Sequence, residues 1–247
     1  MTEELGKIER PEAMDVIGQR KLYVVPLVYA LPGAPDGYAS RLEAYWTAVD
    51  QHLSSLEAKA GIVKKVFHEG ISYGGDPGID QLKQTNLPAY PFINTRIQGG
   101  ADLEALDDDD LFMQVLDWGR IAQGGFSSQK VADAVQEGYT EAAEARLKHL
   151  SETLDAKVGP GEAAVVIISS LRDIETPSDV EIFNIMPPEM DQLNRWIEEQ
   201  VKMQQAEAER MAAAAQSGQA PPPPPPPPGE APPAEDESPG LWTPGSA

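Results

Sequence analysis

The chain has 247 residues, 41% of them hydrophobic, and a formal net charge of −21 from 19 Lys and Arg against 40 Asp and Glu. A surface this negative repels phosphate backbones and anionic lipid at long range, so nucleic-acid and membrane binding are disfavoured. The absence of cysteine excludes disulfides, thiolate metal sites and cysteine nucleophiles.

Residues 1–20 alternate charges with small residues and carry no apolar stretch of the kind that marks a secretory signal; they read as a flexible N-terminal segment. The longest wholly apolar run, Ala163–Ile168, is too short to span a bilayer. The cytoplasm is therefore the expected address. The only adjacent basic pairs are Arg20-Lys21 and Lys64-Lys65. An α/β domain is expected over 21–203, a solvent-exposed helix extension over 204–215, and a disordered Pro-rich tail over 216–247.

Lys21–Tyr29 (KLYVVPLVY) is rich in β-branched and aromatic residues and predicts a first strand. Pro26 lacks an amide donor, which points to an edge position or a bulge. A helix is predicted from Tyr38 to Ala60, because Tyr38, Leu42, Trp46, Val49, Leu53 and Leu56 share one face and Gly61 supplies a stop. Ile62–Ile71 predicts a second strand, Gly74–Gly78 a turn, and Pro91–Ile97 a third strand. Asp107–Asp110 precede a helix to Gln123; Ser127 or Ser128 caps a long one to Val158, ended by Gly159-Pro160-Gly161. Ala163–Ser169 (AAVVIIS), an apolar run unbroken to Ile168, suits a central strand buried on both faces. A further strand over Asp179–Met186 and a last helix from Pro187-Pro188 follow. The pattern predicts an α/β fold with a mixed sheet of about five strands covered by helices.

The tail changes composition abruptly at Gln216. Eight consecutive prolines, Pro221–Pro228, predict a polyproline II rod spanning about 25 Å. The chain then closes on PGLWTPGSA, which carries Leu241, Trp242, Pro244 and Gly245 with no hydrophobic core to join. One reading makes the tail a solubilising linker with an incidental tryptophan. The other makes LWTPG a docking peptide held clear of the body by a stiff spacer, since Trp is a frequent interface anchor and Pro-Gly presents it on a turn. The octaproline is itself a ligand type for aromatic-lined grooves.

His68 and Glu69 are the first candidates for chemistry, as a general base or metal ligand. Neighbours on a strand face opposite sides, so the pair meets one substrate atom only if a bulge at Gly70 intervenes; the structural alternative is a satisfied histidine at a strand end. A metal-assisted hydrolase would gather His68 with Glu69, Glu104 or an acid of 107–110. Asp107–Asp110 also fit helix capping, and they lack the spacing of a calcium loop. Gly74–Gly78 lacks both nucleotide-loop patterns. No G-x-S-x-G or H-E-x-x-H occurs. His52 flanks an amphipathic helix, and His149 lies near Arg146 and Lys148; both read as solvated. No metal or cofactor is called for. The last helix offers a Met- and Ala-bearing face as a candidate for self-association.

Residues 161–196 (GEAAVVIISS…PSDVEIFNIMPPEMDQLNRW) resemble the C-terminal part of an uncharacterised group of bacterial proteins, and KLYVVPLVYA and VFHEG resemble other parts of it. That resemblance implies no activity. A buried strand, short loop and second strand also resemble bacterial release-factor-like domains, which would imply a translation-associated role at odds with the acidic charge. The leading expectation is an interaction protein docked to a protein partner through its C-terminal peptide. The metal-assisted hydrolase is the alternative.

Overall fold

The computed structural model describes residues 19–171 and 174–217. The chain divides into two compact units, Met1–Trp196 and Ile197–Ala247. In the first, β1 (Arg20–Pro26) leads to α1 (Tyr38–Ala60), β2 (Val63–His68), α2 (Gly75–Thr85), a 3₁₀ turn (Leu87–Ala89) and α3 (Tyr90–Gln98). Then come β3 (Asp102–Glu104), α4 (Asp109–Ala122), α5 (Gln129–Lys157), β4 (Ala163–Ile168) and β5 (Val180–Asn184). The last helix, α6, is Pro188–Ser217. In the second unit residues 201–213 are exposed. Among the described residues no helix is long and apolar enough to cross a membrane.

The five strands lie in the order β3-β2-β4-β1-β5. The fold is α/β with five strands, as the pattern predicts, but every ladder is parallel rather than mixed. β4 sits at the centre and all six of its residues are buried. Its alternate side chains serve two cores. Ala164, Val166 and Ile168 join Leu22, Val24 and Phe67 against Leu150, Leu154 and Val158 of α5. Tyr23 on the opposite face donates from its hydroxyl to the Gly61 carbonyl just after α1.

Three further sequence expectations need correction. Pro26 does not mark an edge, since β1 lies between β4 and β5. The reason is in the register. Val24 faces β5, and its carbonyl accepts from the amide of Ile185 just past that strand, while the Leu27 amide donates to the Ile168 carbonyl of β4. Pro26, two residues after Val24, points to the β5 side where that strand has ended at Asn184. Its missing N–H therefore leaves no gap in a ladder.

The expected strand Pro91–Ile97 is helix α3, with Pro91 in the first turn. Proline loses nothing there, because that amide has no intrahelical partner anyway. The third strand is instead the three-residue Asp102–Glu104. Likewise Gly74–Gly78 is the start of α2, with Gly74 at the N-cap.

Candidate functional site

The strand order fixes where a parallel sheet opens. Connections β1→β2 and β2→β3 run toward one edge, and β3→β4 and β4→β5 toward the other. With right-handed crossovers the helices after β1 and β2 lie on one face and those before β4 on the other. Chains leaving β2 and β4 therefore part at the carboxyl end of the sheet, the place where open α/β folds form a crevice. Glu69 follows β2 and Ser169 follows β4 at that point.

His68 ends β2 with its ring wholly buried. Its Nδ1 lies 2.6 Å from the Glu69 carbonyl and its Nε2 3.1 Å from Asn86 Nδ2. The Asn86 amide also donates to the Val28 carbonyl, so it presents N–H to the ring, and His68 is the neutral Nδ1–H tautomer. Burial pushes its pKa down to about 4, against the opposing pull of the Glu69 carbonyl and the Glu69 and Asp107 charges. Both nitrogens are in use.

Phe67 belongs to the core packed on α5, so His68 points to the other face and the Glu69 side chain returns to the α5 side. Glu69 Oε2 accepts from both the amide and the hydroxyl of Ser169, at 2.6 Å each, and Oε1 accepts from Arg146 at 3.1 Å. Arg146 on α5 is bidentate to Asp107, with Nε to Oδ1 at 2.7 Å and Nη2 to Oδ2 at 2.6 Å. Its guanidinium also lies over the Phe112 ring. Asp107, fully buried at its side chain, accepts from the Gly70 amide at 2.7 Å. Gly70 makes that turn at φ +81°, a conformation open to glycine.

Burial alone would raise the Glu69 carboxyl. The Ser169 donors and Arg146 override it and hold the group below its ordinary range. An anchored carboxylate of low basicity is a poor general base at neutral pH. Arg146 directs Nε and Nη2 to two internal carboxylates, so its charge is answered within the fold. The arrangement is a clamp joining the chain after β2, the chain after β4, the β3–α4 connection and α5.

The remaining acids are dispersed. Glu104 is held by Lys65 and Lys157. Asp108 caps α4 by accepting from the Leu111 amide, and Asp109 accepts from the Tyr73 hydroxyl. Among the described residues no three His, Asp or Glu side chains are grouped to hold a metal. The structure thus brings Glu69 and Asp107 together around Arg146 rather than around His68.

Open volume lies away from the clamp and shares none of its residues. A groove of about 800 Å³ runs between the β1–α1 loop, α1 and the 3₁₀ turn leading into α3. Leu42, Trp46 and Phe92 help to form its wall, and Leu31 and Leu87 stand 53% and 61% exposed beside it. Trp46 Nε1 is enclosed with no acceptor among the described residues. Asp36, Glu43 and Asp50 are its charged members, and no basic side chain lines it. A second depression of about 430 Å³ continues it along α1, sharing Glu43 and Thr47 and adding Glu189.

No protein-family model, curated protein or solved structure matches the chain.

Sequence reading missed Arg146, Ser169 and the groove. One signal was present: Glu69 and Ser169 each directly follow a strand, the position from which α/β folds project site residues. The proposed docking residues Leu241, Trp242, Pro244 and Gly245 lie outside the described residues.

Proposed function

We propose that this chain is a non-catalytic interaction protein that docks to a partner or scaffold through its C-terminal LWTPG peptide. One observation in the folded unit carries the reading. At the carboxyl edge of the sheet, where chemistry would be expected, the charged groups are consumed by one another through the Glu69–Arg146–Asp107 clamp. His68 beside them is sealed and neutral. Support from the tail is compositional: Leu241 and Trp242 follow a proline spacer and an acidic stretch, a layout that presents an anchor residue away from a body.

The test is quantitative pull-down with the intact chain and its Trp242→Ala variant from the native cell extract. At least one partner should fall tenfold or more with the variant. Equal recovery of every partner would defeat the docking role of the peptide.

A further inference from the structure

We infer that the groove beside the β1–α1 loop is a second docking site, which takes an extended apolar segment of a partner protein carrying a lysine or arginine. The inference rests on the reading of the chain as an interaction protein, but not on its C-terminal peptide. The groove's 800 Å³ falls within the range of about 300–1,000 Å³ found for ligand pockets. Leu31 and Leu87, which line it from the β1–α1 loop and the 3₁₀ turn, hold more than half of their surface in water, a cost that a docked apolar segment removes.

Charge selects the occupant. Asp50 is answered by Arg96. Asp36 and Glu43 have no ion-pair partner among the described residues, and the lining holds no cation to compensate them. A carboxylate beside an apolar wall attracts a cation more strongly than one in open water. The −21 net charge speeds the approach of a basic partner and repels acidic segments from the same rim.

Shape argues for a chain over a small amine. The second depression shares Glu43 and Thr47 with the first and adds Glu189 farther along, so the acids follow an elongated track. A free amine would use one point of it. An extended peptide, with side chains at regular intervals, uses the whole.

A random heptapeptide library is selected on the immobilised full chain, with counter-selection on the Leu87→Asp variant. Leu87 is exposed, and thermal melts confirm that the variant is folded. The enriched consensus is then synthesised and titrated by fluorescence anisotropy. Lysine or arginine set among apolar residues is expected, with Kd rising at least tenfold for Glu43→Lys and binding lost with Leu87→Asp. Acidic or uncharged consensus sequences, enrichment indifferent to Leu87→Asp, or an unchanged Kd for Glu43→Lys would each overturn the proposal. Trp242→Ala should leave the titration unchanged, so failure of the tail to dock and failure of the groove to bind give separate results.

Discussion

Acidification from pH 7 to 4.5 should destabilise the folded chain through His68. Free histidine takes up a proton near 6.5, whereas burial holds folded His68 near 4. Between those values the unfolded chain binds the extra proton and the folded one does not, so stability falls as pH drops through the window and loses nothing more below it. At about 1.4 kcal/mol per unit, the difference is worth about 3.5 kcal/mol at most. The structural cause is specific: a proton on Nε2 would set two N–H groups face to face with Asn86. Glu69 titrates differently. Its depressed carboxyl contributes stability that is present above its ordinary 4.5 and lost as pH falls through its folded value. The range 6.5 to 4.5 therefore isolates the histidine. Urea unfolding at pH 7, 6, 5 and 4.5 should be compared for the native chain and His68→Gln, because lowering the net charge of −21 relieves self-repulsion in both. The native chain should lose at least 1.5 kcal/mol more than the variant, on the order of half the full linkage. Parallel curves, or the His68 imidazole itself titrating near 6.5 by NMR, would refute the reasoning.

Arg146→Met keeps much of the side-chain length but strands Asp107 and Glu69 as buried charges; about 3–5 kcal/mol should be lost in urea unfolding. Adding Asp107→Asn and Glu69→Gln should recover more than half of that loss, which deletion of a merely well-packed side chain would not allow. Trp46→Phe should cost under about 2 kcal/mol, less than removal of so large a buried ring suggests, since it also eliminates an unsatisfied indole donor worth about 1–3 kcal/mol. Thermal and urea denaturation check this, and a loss above about 4 kcal/mol would show the donor to be satisfied.

The elements legible in the sequence are those whose burial is set by one strong pattern. α1 spans Tyr38–Ala60 as its apolar face predicts, with Gly61 beyond it at φ +133°. The apolar run of β4 identifies the sheet centre. α3 looks like a strand in the sequence because Ile93, Thr95 and Ile97 favour strands by stiffness at χ1, yet packing places Phe92 and Ile93 in the core of a helix with Pro91 in its first turn. β3 is too short, at three residues, to leave a periodic trace. The clamp was out of reach for another reason: Glu69 and Ser169 are 100 residues apart, and Arg146 resembles any charged helical residue until the topology brings it beneath them. Alternation along β2 did foretell that His68 and Glu69 would diverge.

The clamp and the groove are two consequences of one topology. Opposite exits from β2 and β4 leave loops at the carboxyl edge that no ladder can tie together. The chain after β4 reaches β5 without an intervening helix in its described part. Ser169 supplies the missing tie by giving its amide and hydroxyl to Glu69, while Arg146 fastens that carboxylate to the α5 side. A sheet edge fixed in this way has little freedom to close over a substrate. The groove has its own tie: Asn86, at the head of the 3₁₀ turn, donates to the Val28 carbonyl and to His68, and a preformed groove loses less entropy on binding than one that must be assembled. Loosening that tie by Asn86→Ala should therefore weaken the groove's basic ligand as well as the fold, and an unchanged Kd by fluorescence anisotropy would break the link.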